Sequence, residues 1–569
     1  MGVRRPSSRM NGSNAASEIW RRMTRCKTEA ILREEQKEEQ KDGSGLKKVL
    51  SFWHVFLFGI ANTVGSGIFV TPGTAAKEYA GPALFISFMI AGLACGLSGI
   101  CYADYSSRLP ASGGAYSYVY SSLGEYLGFL SGMCLTLEYG VSSAAIARGF
   151  AGYLRELIEA CGVSVPSVLQ EYPVNGSNVL VLDLLPPLLC IAVAGLCTMG
   201  VRESAWVSSL MTVCNISMIL FIIIAGLPFF APDHFSDFAP RGAAGILGGA
   251  SFVFFSYAGW DAVCVLSEEV EKPTVVIPRA IGITISVTAT LYALVSISLI
   301  GMVGVDQINP LTPIFSAFQY IGLDWAAIVV AVAAVTCSVT ATYGTSAGQP
   351  RVFYRMGKDG LLSPKFTKVN SKGSPVYGIF WTSVLTVIIS ALLDFDILNQ
   401  AISAGILLMQ GFVCVGCVLR RIRRGIPKSS DAVYDKIDKE ARIYLGGMMV
   451  VLIVAGLCLQ GGPGSEIAVY VFLCLYAAGL VAFALRTWKL MGSNALTLIV
   501  PMAAVTVNIF IMASLGWLAF CIVLVYFVLG SVIYFGYGIR HSAMNDLRLN
   551  PVTDSEMIDI MEAEVASQK

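Results

Sequence analysis

Two acidic residues lie inside long apolar stretches of this chain: Glu138 in the third stretch and Asp261 beside a break in the sixth. An ionisable side chain within a membrane span is costly and normally faces a cavity or a partner. Asp261 is placed to receive a cationic side chain; its competing role is to cap a broken helix. Glu138 suits gating or proton-linked chemistry. Direct pairing of Glu138 with Arg148 is disfavoured, because ten residues of helix span about 15 Å. Glu268 and Glu269 fall at the end of the sixth stretch, where interfacial solvation accounts for them.

The second group with chemical potential is backbone. Gly65-Ser66-Gly67-Ile68-Phe69 interrupts the first apolar stretch, with Thr71-Pro72-Gly73 close behind. Glycine inside a helix costs about 1 kcal/mol relative to alanine, and irregular backbone at membrane depth survives only against protein or a water-filled cavity. The sixth stretch carries its own interruption, Phe254-Phe255-Ser256-Tyr257-Ala258-Gly259-Trp260-Asp261. A half-helix starting at Gly67 presents N–H groups and a positive dipole end to a carboxylate. Half-helices ending near Thr63 and Ser256 present carbonyls to an ammonium. Two broken helices crossing at the midplane thus make a receptor for a zwitterion. The competing role of these glycines is close helix packing.

The elements that must hold these groups are helices in a bilayer. The chain is 55% hydrophobic and 14% charged, with a net charge of +1, which excludes an ordinary soluble enzyme and gives no bias toward nucleic acid. Most of the fifteen cysteines sit in apolar runs as packing residues. Three scattered histidines (His54, His234, His541) make no zinc-ligand cluster, and no cofactor motif is present. No signal peptide is visible: the first apolar stretch is too long and too interrupted for a cleaved segment.

Hydropathy predicts fourteen spans, at 50–76, 82–103, 116–152, 180–200, 206–230, 245–267, 279–302, 325–348, 376–393, 397–419, 444–460, 467–485, 496–514 and 516–537. The third is too long for one straight crossing. The predicted fold is an all-α polytopic membrane protein. Its five-plus-five inverted-repeat core has discontinuous helices 1 and 6, read from breakpoints five spans apart. The predicted organisation is a cytoplasmic N-terminal tail (1–46), a ten-helix core (47–420), a basic cytoplasmic loop (421–443), four additional helices (444–540) and a cytoplasmic C-terminal tail (541–569).

Lysine and arginine gather on one side: Arg202, Lys272, Arg279, the run Arg351–Lys372, the cluster Arg420–Lys428 and Arg486. Lys77, Arg155 and Arg241 lie on the other. The positive-inside rule therefore puts both termini in the cytoplasm. The N-terminal tail mixes Ile19, Trp20 and Met23 with Arg21, Arg22, Arg25 and Lys27, as in a helix on an anionic leaflet or a solvated charged tail. The acidic C-terminal end (Asp554–Glu564) reads as a disordered or contact tail. Asn175-Gly176-Ser177 is a glycosylation candidate in an outward loop; Asn11 is cytoplasmic and Asn215 intrahelical.

Five motifs in order carry a family resemblance: Gly65–Phe69; Arg108-Leu109-Pro110-Ala111-Ser112-Gly113-Gly114-Ala115-Tyr116; Gly200-Val201-Arg202-Glu203-Ser204; Phe254–Asp261 with Glu268-Glu269; and Arg351–Leu362. Over residues 47–540 the chain resembles a plant-type cationic amino acid transporter of the amino acid–polyamine–organocation superfamily. The resemblance implies alternating access around Thr63, Gly65, Ser66, Gly67, Ile68, Phe255, Ser256, Tyr257 and Gly259. Phe255 would be an outer gate, and Asp261 and Thr345 would accommodate a long cationic side chain. Ser112–Gly114 and Arg351–Asp359 would be cytoplasmic loops.

One departure bears on coupling. Proton-coupled bacterial relatives carry a lysine fifteen residues after the glycine opening the third motif, and counting from Gly200 puts Asn215 there. Asparagine does not exchange a proton as lysine does, so coupling through this position is excluded, with Glu138 an available substitute. Trp260, where relatives often carry phenylalanine, enlarges one wall.

The expected function is potential-driven facilitated transport of arginine and lysine. The alternatives are a broad or neutral range, proton coupling, or an amino acid sensor. The expected partners are the amino acid and the bilayer, with no nucleic acid; oligomeric state and any accessory subunit stay open. The expected address is the plasma membrane, with vacuolar or endosomal membranes as alternatives.

Overall fold

The computed structural model describes residues 12–27, 31–32, 50–65, 67–108, 114–173, 180–199, 205–268, 270, 272–371, 374–425, 431–459 and 465–545. Its helices are α1 (Gly12–Thr24), α2 (Phe52–Thr63), α3 (Gly67–Thr74), α4 (Leu84–Arg108), α5 (Gly114–Ser122), α6 (Glu125–Thr136), α7 (Ser142–Ala160), α8 (Leu185–Thr198), α9 (Ala205–Gly226) and α10 (Gly242–Phe252). They continue as α11 (Pro273–Met302), α12 (Pro313–Tyr320), α13 (Asp324–Lys358), α14 (Val376–Leu392), α15 (Phe395–Gly425), α16 (Asp431–Leu459), α17 (Ser465–Met491), α18 (Ile499–Ala513) and α19 (Trp517–Ile533). Strands β1 (Tyr172–Pro173) and β2 (Val181–Leu182) pair antiparallel in the loop after α7.

Among the described residues nine helical stretches are long and apolar enough to cross a membrane, and α8 and α14 are shorter apolar helices. Two of the nine, Phe52–Arg108 and Val471–Ala513, are 57 and 43 residues long, well beyond one crossing. The membrane-protein class follows from these lengths. α15 is enclosed along its apolar span and packs on α18, while α11 runs along α4, α2 and α9, and α13 along α7, α8 and α14. Outward apolar residues such as Leu524, Val528 and Val532 of α19 are exposed, as a lipid-facing surface requires.

Several boundaries differ from those read in the sequence. The third apolar stretch is three elements: α5 ends at Ser122, Gly124 turns the chain at φ +111°, and α6 begins at Glu125. A side chain at Gly124 would lie 2.9 Å from backbone atoms of Met23 and Thr24, so the N-terminal segment seats on this turn. The stretch Arg351–Lys358 is not a loop but the last turns of α13. Residues 421–425 continue α15 and α16 begins at Asp431, so the basic segment between the spans is largely helical. Ser66, Ser112, Gly113, Asn175, the Gly200–Ser204 motif, Glu269, Asn11 and the acidic residues 554–564 lie outside the described residues.

The N-terminal helix α1 packs on α6 and leaves Ile19 and Trp20 exposed. Beyond it, Arg25 forms two hydrogen bonds to the Glu125 carboxylate at 2.8 and 3.0 Å and a third to Asn545. Lys27 pairs with Asp359 at 2.7 Å. Residues 25–27, the α5–α6 turn, the end of α13 and the segment after α19 therefore share one end of the bundle. At the opposite end Arg148 hydrogen-bonds Glu171, the Ser390 carbonyl and the Val181 carbonyl, and Arg155 meets Asp183 at 2.5 Å. Arg148 is thus engaged there and not with Glu138. Burial holds the Glu171 carboxyl above the usual carboxylate range, with Arg148 and Arg155 pulling the other way.

Candidate functional site

The two interrupted helices meet. α2 stops at Thr63, Val64 and Gly65 are non-helical, and α3 restarts at Gly67. In the second, α10 gives way to a tight 3-10 turn over Val253–Tyr257, and Ala258–Asp261 is irregular before a short helix at Ala262–Val265. A Cβ on Gly67 would lie 2.8 Å from the Ser256 Cα, so the start of α3 rests directly on the second break. A Cβ on Gly259, at φ +98°, would lie 2.5 Å from the Asn62 carbonyl oxygen. Glycine is required at both places, once for approach and once for a left-handed backbone.

These contacts carry a stability prediction. Gly259→Ala is expected to cost about 1–3 kcal/mol, the range for strained backbone at a functional site. A Cβ on Gly282 of α11 meets nothing within 4 Å among the described residues, so Gly282→Ala serves as control. Thermal unfolding of the two variants in detergent checks this, and equal midpoints would refute the interlock.

Hydroxyls tie the crossing together. Ser256 Oγ is 2.6 Å from Thr71 Oγ1, which also donates to the Gly67 carbonyl at 2.9 Å. Tyr292 Oη on α11 lies 2.9 Å from the Thr63 carbonyl oxygen and 3.0 Å from that of Ser256. The two carbonyls expected to stand free for an ammonium thus share one tyrosine hydroxyl in this conformation. A buried tyrosine hydroxyl usually finds a hydrogen-bond partner, which is the one signal by which the sequence could have pointed to Tyr292. Tyr257 donates to the Phe88 carbonyl at 2.8 Å, directing its hydroxyl toward α4. Ile68 is fully enclosed, and Phe255 is buried beside Phe395 with ring centroids 6.4 Å apart.

The acids converge. Between α6 and α7 the chain widens into a π-helical turn over Leu137–Val141, which carries Glu138; such turns recur at functional sites. The Glu138 and Asp261 side chains are neighbours, each acting on the other's charge, and are 2% and 7% exposed. Among the described residues Glu138 Oε2 and Tyr102 Oη have no hydrogen-bond partner, although both are buried. Two carboxyls in contact cannot both stay charged unless a cation or a shared proton intervenes. Trp260 packs on Tyr102 with centroids 4.9 Å apart, fixing the wall between α4 and the break.

Thr345 Oγ1 of α13 is 2.8 Å from Ser143 Oγ on α7, five residues along the chain from Glu138. A Cβ on Gly65 would approach Ala341 at 3.8 Å, so the Ala341–Thr345 face borders the first interruption. Asn215 is half-buried on α9 and lies beside Cys337 of α13.

Residues 50–483 match the family model described as amino acid permease, and residues 499–542 match that for the C-terminus of AA_permease. The chain belongs to the amino acid permease family. It is a membrane transporter and not an enzyme. The permease is 30% identical to "Cationic amino acid transporter 3, mitochondrial" of Arabidopsis thaliana, over 88% of this chain and 92% of that protein. It is likewise 30% identical to "Cationic amino acid transporter 4, vacuolar" of the same plant, over 88% and 93%. It is 34% identical to the "Methylthioribose transporter" of Bacillus subtilis (strain 168), over 69% and 85%.

Proposed function

We propose that this permease moves amino acids across a membrane by alternating access, with arginine and lysine as its principal substrates. The convergence of Glu138 and Asp261 carries the reading: a buried pair of carboxyls beside the crossing provides a pole for a cationic side chain. In this scheme the Gly65–Ile68 segment receives the substrate carboxylate. The Thr63 and Ser256 carbonyls, released by Tyr292, receive its ammonium. Phe255 covers the site, and Thr345 borders the side-chain path. The names of the plant relatives support the substrate class.

The enclosed acids and the interlocked breaks are what an occluded or substrate-free state requires. The fold proposed around them has fourteen spans, the first ten a five-plus-five inverted repeat, with both termini cytoplasmic. The location of residues 25–27 and 542–545 at one end of the bundle supports an even number of crossings. With no lysine at position 215, the transport proposed is driven by membrane potential, worth roughly 2.3 kcal/mol per charge per 100 mV. The proposed address is the plasma membrane, with an organelle membrane the alternative that the relatives' names support.

The test is uptake of labelled arginine into proteoliposomes at an inside-negative potential without a pH gradient, with lysine, alanine and leucine as competitors. Uptake driven by potential and blocked by lysine but not leucine is the expected result. Absence of arginine uptake by folded protein would sink the cationic reading. The second reading, a neutral substrate with a proton shared by Glu138 and Asp261, is favoured by the match to the methylthioribose transporter. It predicts uptake that follows an imposed pH gradient instead.

A further inference from the structure

At the end of the bundle that carries the N-terminal segment, a cavity of ≈ 380 Å³ opens between three elements. The end of α4 supplies Asp104 and Arg108, the end of α15 supplies Arg421 and Arg424, and the α17–α18 connection supplies Met491, Asn494 and Thr497. Three guanidinium groups and one carboxylate thus stand in its wall. The carboxylate is already engaged: Asp104 accepts from Arg108 at 2.9 Å and from Arg421 at 3.2 Å. Arg421 also donates to the Thr497 carbonyl at 2.5 Å, which fixes its fork in the wall. Arg420 sits next in line on the Tyr105 ring, 5.0 Å from its centroid, and with Arg424 adds to the positive field at Asp104.

The surroundings of the cavity are those of a membrane interface. Ile100, one turn before Asp104 on α4, is exposed, as are Leu496 and Ile499 where α18 starts back into the bundle. Exposed Trp488 lies on the last turn of α17, the residue type that favours the headgroup level. An apolar surface thus runs from the cavity toward the bilayer interior on both its α4 and α18 walls. Arginine forks match phosphate oxygens in geometry and charge, and basic pockets between helices at this level suit phosphorylated headgroups.

We propose that this cavity binds an anionic phospholipid: its phosphate on Arg108, Arg421 and Arg424, its acyl chains along Ile100, Leu496 and Ile499. The site is separate from the Glu138–Asp261 crossing and needs no transport to be occupied. The apolar walls favour a lipid over a free phosphate, since a soluble anion has no use for them.

The experiment uses the full chain in nanodiscs of phosphatidylcholine, with and without added phosphatidylinositol bisphosphate. Native mass spectrometry reads the bound lipid, and thermal unfolding reads the fold. The acidic lipid is expected to remain bound and to raise the midpoint. Arg424→Gln and Arg108→Gln, both at exposed positions, are each expected to weaken its retention about fivefold, the loss for one interfacial cation, with unchanged midpoints in pure phosphatidylcholine. Equal retention by both variants would overturn the site. Binding of soluble inositol phosphate as strong as that of the lipid, with no contribution from acyl chains, would overturn the lipid assignment. Arg421→Gln is the stronger variant but risks the Thr497 anchor, so the two exposed positions decide.

Discussion

Asp261→Asn is expected to cut arginine uptake roughly 30- to 1,000-fold, a loss of about 2–4 kcal/mol of the size found when one partner of a buried charge pair is removed. The fold should survive, because removing one of two adjacent carboxyls relieves repulsion at the Glu138–Asp261 contact. Glu138→Gln is expected to act in the same direction, since Glu138 Oε2 lacks a partner among the described residues and a bound cation would supply one. Uptake of labelled arginine and leucine should be measured at fixed potential beside thermal unfolding. Selective loss of arginine transport supports a cation pole. Equal loss of both substrates would assign the acids to gating, and a shift in pH dependence without a change in selectivity would assign them to a shared proton.

The two interruptions were legible because glycine is costly in a helix. Gly65–Gly67 and Ser256–Gly259 could be read as breaks with no knowledge of their neighbours. That they touch, through Gly67 against Ser256 and Gly259 against Asn62, is a tertiary fact that spacing alone does not contain. The meeting of Glu138 with Asp261 was hidden for the same reason, and also because it depends on a π-helical turn whose extra residue leaves no signature in hydropathy. Tyr292 shows a different limit. Free carbonyls follow from a broken helix, but which distant hydroxyl satisfies them does not. Hydropathy located the third apolar stretch and overran its boundaries, because Gly124 turns the chain inside a run of apolar residues. The sequence resemblance reached its motif residues but had no means of picking out Asp104 and Arg421, whose partners come from three separate elements.

At the end that holds the N-terminal segment, the larger stability effect is expected from Asp359. Lys27 Nζ meets Asp359 Oδ1 at 2.7 Å, with side chains 5% and 6% exposed, and Tyr116 donates to Oδ2 at 2.7 Å. The Asp359 carbonyl also accepts the Ala543 N–H at 2.9 Å, so one residue ties the N-terminal segment, α5 and the chain after α19 to the end of α13. Asp359→Asn removes the carboxylate that meets the buried Lys27 ammonium at 2.7 Å, and breaking one partner of a buried pair typically costs about 3–5 kcal/mol. Lys27→Met should cost less, because Arg355 lies 3.9 Å from the remaining carboxylate. Combining the two removes both charges, and the double variant is expected to regain most of the stability lost in Asp359→Asn. Thermal unfolding of the four proteins in one detergent closes the cycle. Additive losses would mean that the ion pair contributes nothing of its own, and that the segment is held by Arg25 and Glu125 instead.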